Sequence, residues 1–235
     1  MVDRYLRPWK ARTYAPLLRP LAGVPADVVT AVGMAVGLAA AVAAAAGRFD
    51  WALVGWWANR WLDGLDGELA RAPARAGGFA LARGAARARG AFLDLMADLL
   101  VYAAVALGLA AGAAGSLTGA PLADPPWVWA AAAFALASFY LNLGSWALLA
   151  PALSAAEAGG TRDGAGANAP ADPSAPGLRM PAGLMEGAET IVVFTVALAW
   201  PSWAAVTLAT IGALTLAGAL QRTLWGLRRL GSPGT

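Results

Sequence analysis

A chain of 235 residues that is 59% hydrophobic and 13% charged lies far from the composition of a soluble globular domain. It has no cysteine and no histidine, which excludes disulfides, thiol chemistry, zinc sites with His or Cys ligands and the usual near-neutral proton acceptor. The net charge is only +3, and the basic residues gather at the edges of apolar runs, which suits membrane headgroups and argues against nucleic acid.

Residues 1–24 read as a cytoplasmic juxtamembrane segment. Leu6, Trp9, Tyr14, Leu17 and Leu18 can lie on the interface with arginines toward headgroups. Pro8, Pro16 and Pro20 break any single helix there. Residues 25–230 read as one all-α membrane domain. Its six apolar runs approach or exceed the roughly 20 residues that span a bilayer: Val28–Ala46, Trp51–Arg71, Ala91–Ala113, Trp127–Ala150, Leu184–Trp200 and Trp203–Leu220. Arg48-Phe49-Asp50 is a tight external turn, and Gly115–Pro126 is an external loop without a basic residue. The stretch 152–177 is low-complexity and reads as a flexible cytoplasmic linker, and 231–235 as a tail. The first span is not expected to be a cleaved leader, since the chain returns directly into a second span.

Arginines and the single lysine precede the first span, fill the connection after the second, and follow the fourth and sixth, while the opposite connections carry only Arg48. The positive-inside rule therefore places both termini and the connection after the second span in the cytoplasm. Trp51, Trp127, Trp200 and Trp203 sit at span ends, as an interfacial belt does.

The second span ends in W-L-D-G-L-D-G-E-L-A-R and the third opens with G-A-F-L-D-L-M-A-D. At roughly 100° per residue, Asp63, Asp66, Gly67, Ala70 and Arg71 share one helical face. Gly90, Asp94 and Asp98 repeat every four residues and share another. Acids in apolar spans are costly unless paired, neutralised or bound to cations. Arg60 and Arg71 are the only bases on these two spans, so a pure ion-pair network leaves carboxylates over. Facing one another, the acids form a hard-oxygen cage for Mg²⁺ or Mn²⁺. Glu68 points roughly 140° from Asp63 and reads as a helix contact. Gly67, Gly90 and Ala70 either let helices pack closely or let a nucleotide approach. Arg71 either snorkels to headgroups or meets a phosphate. Arg60, one turn before Asp63, is expected to pair with an acid.

The pattern D-x-x-D-G-x-x-A-R followed by G-x-x-x-D-x-x-x-D, intact at all eight positions, resembles the signature of the CDP-alcohol phosphotransferase family. The resemblance implies an integral membrane enzyme, in a bacterial cytoplasmic membrane with the site on the cytoplasmic side. Such an enzyme moves a phospho-alcohol group from a CDP-linked donor to the hydroxyl of a small alcohol acceptor, releasing CMP, in phospholipid biosynthesis. It also implies two divalent cations, Mg²⁺ or Mn²⁺, on Asp63, Asp66, Asp94 and Asp98, with Asp98 the catalytic base. The CDP donor would contact Asp63, Gly67, Ala70, Arg71 and Gly90, membrane lipids would be partners, and the chain would be a homodimer. One departure stands out. Eighteen residues, Ala72–Arg89, separate Arg71 from Gly90, more than the family's usual spacer. They are expected to bulge as a cytoplasmic loop. The family's entry to the first span has a Pro-Asn-x-x-Thr-like form. Here A-D-V-V-T offers Asp27 and Thr30, and Asp27 is equally well a helix N-cap.

Glu186 and Glu189 lie one turn apart at the start of the fifth span. They stand where the family recognises its acceptor, or else pair with Arg60 or Arg222. With no basic residue beside them they favour a neutral or cationic acceptor, although Arg222 remains available to a phosphate. Two other classes fit the acids: a cation transporter or channel, and a non-catalytic scaffold. Neither explains the fixed spacing of Gly67, Ala70 and Arg71 as well as the enzyme does.

Overall fold

Alanine- and leucine-rich runs form helices wherever the chain is described. The computed structural model describes residues 13–21, 23–71, 80–160 and 187–231, with side chains except at 71, 80–87 and 156–160. After a short helical segment at 13–18 come α1 (Ala26–Ala45), α2 (Phe49–Arg71), α3 (Ala80–Ala113), α4 (Pro125–Gly160) and α5 (Gly187–Ala199). A 3-10 turn at Pro201–Trp203 leads into α6 (Ala204–Gly231). No strand occurs among the described residues.

The expected all-α architecture holds. Among the described residues, four stretches are long and apolar enough to cross a membrane: α1, Ala88–Ala113 of α3, Pro125–Ala155 of α4 and Pro201–Gly231. Helix α2 bears Arg60, Asp63, Asp66, Glu68 and Arg71, and α5 has 13 residues in its described part. Two expectations are corrected. The Ala72–Arg89 insertion is not simply a loop, because Ala80–Arg89 is helical and extends α3 toward its N-terminus. Its alanines, leucine and arginines are good helix formers, whereas a hydropathy reading stops at the arginines. Likewise the presumed linker begins too early, since α4 runs through Pro151 to Gly160. Residues 72–79, 161–186 and 232–235, including Glu186 and most of that linker, lie outside the described residues.

Helices α4 and α6 form the broadest contact, and α1 packs against both α2 and α3. The two motif helices touch each other very little, so α1 is their common support. Its seam with α3 relies on small residues. A Cβ at Gly108 would strike the carbonyl oxygen of Ala41, and one at Gly112 that of Ala44. Backbones approach this closely only where a side chain is missing. Beyond the seam, the core is filled by Trp56, Val105, Leu109, Phe194, Leu208 and Ile211. Trp51, Trp127, Trp200 and Trp203 are exposed where α2 and α4 begin and where α5 meets α6. The outer faces expose Val54, Leu148, Val206 and Leu227, a surface suited to hydrocarbon rather than water.

The seam predicts a contrast between two glycines. Gly108→Val should destabilise the protein by roughly 1–3 kcal/mol through overpacking. Gly144→Ala, within α4 with nothing within 4 Å of the added carbon, should be neutral or stabilising. Thermal unfolding of both variants in detergent checks the difference. Equal melting temperatures would remove the argument for the seam.

Candidate active site

The motif's spacing does what helical periodicity requires. The last turns of α2 and the early turns of α3 face each other across α1, so that oxygens of Asp63, Asp66 and Asp94 all lie within 4.8 Å of one another. Asp66 is buried, Asp63 half-buried and Asp94 exposed. The acids line a small open cleft, which Thr30, Gly33 and Met34 of α1 also line. Thr30 donates a hydrogen bond to Asp66 Oδ2 at 2.5 Å. Asp27, the other polar residue of that entry sequence, is not an N-cap. Helix α1 starts one residue before it with Pro25 at the cap, and Asp27 pairs instead with Arg89 of the extended α3, at 3.3 Å.

Asp98 lines the same cleft but falls outside the triad of mutually close acids. Its Oδ1 lies 2.9 Å from Arg60 Nη2, while Arg60 Nη1 is 3.9 Å from Asp63 Oδ2. Arg60 is 7% exposed, and its partners explain how a cation is tolerated there. The guanidinium carbon sits 5.0 Å from the Trp56 ring centroid and 4.9 Å from that of Tyr102. Such cation–π contacts contribute about 0.5–2 kcal/mol each. Nε and Nη2 both donate to Asn59 Oδ1, at 2.8 and 2.6 Å, and Nη1 donates to the Tyr102 hydroxyl at 3.0 Å. Asn59 is itself fixed, donating from Nδ2 to the Gly33 carbonyl at 2.8 Å. The expected pairing of Arg60 with an acid is thus present.

The N-terminal segment lies over the motif helix. The Tyr14 hydroxyl donates to the Trp61 carbonyl at 3.1 Å, and a Cβ at Gly64 would collide with that ring. Burial first, and then Asp63, Glu68 and Asp66, push the Tyr14 hydroxyl above the ordinary tyrosine range, so it stays a neutral donor.

Other sequence candidates fall as follows. Gly90 has open space around it, with nothing within 4 Å of an added Cβ. Ala70 is exposed among the described residues. Gly67 is half-buried next to Asp66, and Arg71 is the last residue of α2. In α5, Glu189 Oε2 is buried without a hydrogen-bond partner. Arg222 of α6 is also buried. Its Nη1 donates to Asn142 Oδ1 and Ser145 Oγ of α4, each at 2.9 Å, and its Nε is buried without a partner. The bonds of Arg60 and Arg222 go to these partners rather than to Glu189. Sequence reasoning missed Asn59, Trp56 and Tyr102. A buried Asn-Arg pair one turn before Asp63, and a tyrosine one turn after Asp98, were the available signals.

An all-oxygen anionic cluster with one nearby buried cation suits a hard divalent ion. The fold and cluster together define an all-helical bundle that carries a carboxylate site between two helices braced by a third. No protein-family model matches the chain, and no curated protein matches its sequence. The phosphatidylinositol phosphate synthase of Mycobacterium tuberculosis, solved with CDP-DAG bound, has the same fold. It is 24% identical, the match covers 95% of this chain and 96% of that one, and the TM-score is 0.62. A structure of the same enzyme in complex with manganese and citrate matches at 23% identity over 94% and 90%, with a TM-score of 0.61.

The cluster generates an expectation about metal binding. Asp66→Asn or Asp94→Asn should abolish specific Mn²⁺ binding, seen by electron paramagnetic resonance, while the protein stays folded in detergent. Undiminished Mn²⁺ binding in both variants would rule the cluster out as the metal site.

Proposed function

We propose that the chain is a CDP-alcohol phosphotransferase of phospholipid biosynthesis, integral to a bacterial cytoplasmic membrane. In this reading six helices span, both termini are cytoplasmic, and the chain is a homodimer. One observation carries the reading most. The acids of a complete D-x-x-D-G-x-x-A-R…G-x-x-x-D-x-x-x-D pattern converge on a fold shared with a phosphatidylinositol phosphate synthase crystallised with CDP-DAG and with manganese.

Asp63, Asp66 and Asp94 hold two divalent cations, Mg²⁺ or Mn²⁺, and Asp98 completes the site. When bound, the cations supply charge neutralisation for the pyrophosphate and the departing CMP. Gly67 and Gly90 leave room for the nucleotide, and Ala70 and Arg71 lie on the face it approaches. Asp98 accepts the proton of the acceptor hydroxyl. That oxygen attacks the phosphorus distal to cytidine, a P–O bond forms, the bond to CMP breaks, and CMP leaves with the electron pair. No covalent bond to the protein is needed.

For the acceptor, the buried unpartnered Oε2 of Glu189 favours a hydroxyl-bearing or cationic alcohol, such as inositol, glycerol or choline. Glu186 stands beside it in sequence and shares the role. A second reading, a phosphorylated alcohol, is favoured by the buried Arg222 with its unpartnered Nε.

Purified protein incubated with Mn²⁺, CDP-DAG or soluble CDP-alcohols, and a panel of acceptors should release CMP and form lipid product. The absence of CMP release with every pair would defeat the assignment. Asp98→Asn should lower kcat far more than donor affinity, because a proton acceptor acts only in the transition state. Turnover with inositol or glycerol, weakened in Glu189→Gln, is the expected acceptor result. Turnover with inositol phosphate or glycerol phosphate alone, kept in Glu189→Gln and lost in Arg222→Gln, would establish the second reading instead.

A further inference from the structure

Among the described residues, Arg60 is the cation buried beside the acids with its contacts built, and no motif position calls for it. It lies against the rings of Trp56 and Tyr102, which pack edge to face on each other, is anchored by Asn59, and is joined to Asp98 through Nη2. Trp56 is pinned in turn, with Nε1 donating to Thr195 Oγ1 of α5 at 3.2 Å. Such a cradle fixes the guanidinium in one orientation. A planar fork locked this way fixes whatever carboxylate oxygen it holds.

We propose that Arg60 is a positioning residue that withdraws Asp98 from the carboxylate cluster and aims it at the acceptor hydroxyl. The inference rests on the phosphotransferase reading and narrows it: Asp63, Asp66 and Asp94 form the metal cage, and Asp98 is reserved for the proton. The geometry supports the division twice. The three mutually close acids exclude Asp98, and the one acid they exclude is the one Arg60 holds at 2.9 Å. Oδ1 is committed to the guanidinium, so Oδ2 is the oxygen left for the acceptor. The longer 3.9 Å approach to Asp63 limits repulsion among the acids without occupying Asp63 as a partner.

Arg60→Lys keeps the charge and loses the fork, and Arg60→Met keeps an apolar stem against the two rings without charge. In full-length protein in detergent, Mn²⁺ affinity by electron paramagnetic resonance should be unchanged in Arg60→Lys and tighter in Arg60→Met, where the positive charge is gone and Asp98 is released toward the cluster. CMP release should fall by about tenfold to a hundredfold in kcat in both variants, with little change in donor KM. Because Arg60 acts through Asp98, adding Arg60→Lys to Asp98→Asn should cost nothing further. A purely structural role predicts additive losses, and additivity in the folded double variant would overturn the proposal. So would wild-type kcat in Arg60→Lys, or weakened Mn²⁺ binding in either folded variant. If Arg60→Met does not fold, Arg60→Lys and the double variant decide. A wild-type chain that binds Mn²⁺ but releases no CMP would defeat the function proposed above. The affinity comparison would still judge Arg60, since weaker Mn²⁺ binding without the guanidinium contradicts the division of the acids.

Discussion

Four carboxylates close together beside an apolar core constitute the constraint around which this molecule is arranged. Their mutual repulsion and lost hydration disfavour the folded state, and the surroundings offset this only in part. Thr30 bonds one acid, Arg60 pairs closely with a second and more distantly with a third, and Asp94 keeps its exposure to solvent. The remaining deficit of positive charge is one that divalent cations would fill. Stability and chemistry are opposed here. A second well-placed arginine would quiet the cluster and abolish the reason for a metal to enter it.

The helices divide this burden unequally. The α4–α6 pair contributes extensive apolar packing and no acid to the cluster. The α2 and α3 pair contributes all the acids and almost no packing against each other. Two helix faces that both carry carboxylates have little reason to associate directly. What holds them is α1, whose Ala41 and Ala44 lie against glycines of α3 and whose Gly33 carbonyl receives the Asn59 amide of α2. A helix with almost no ionisable side chains thus sets the geometry of the most charged part of the protein.

Much of this was legible in the sequence because two periodicities coincide there. Long apolar runs mark helices, and acids three and four residues apart mark faces of those helices, so the meeting of Asp63, Asp66 and Asp94 needed no tertiary information beyond adjacency of two spans. Helix ends were less legible. Hydropathy stops at charge and at low complexity, whereas the backbone of Ala80–Arg89 and Ala152–Gly160 follows the helix propensity of alanine, leucine and arginine. The surroundings of Arg60 were legible only in part. Trp56 and Asn59 lie within one turn of it on the same helix, but Tyr102 and Thr195 come from two others, and no local pattern ties an aromatic of one helix to a cation of another. The separation of Asp98 from the other acids was hidden for the same reason: the motif presents four equivalent aspartates, and only the position of the guanidinium distinguishes them.

The role of α1 as common support has a consequence for how such a chain can change over generations. Where two halves of a site are braced by each other, the segment joining them is under tension, and every insertion alters the register. Here both halves are referenced to a third element, so the tether between Arg71 and Gly90 is released from that duty. Eighteen residues can be accommodated there, part of them as added turns of α3, while the acids still meet. The connection is free to differ in length and charge, and the constraint on the chemistry falls instead on α1, through the small residues of its seam and through Thr30, which bonds Asp66.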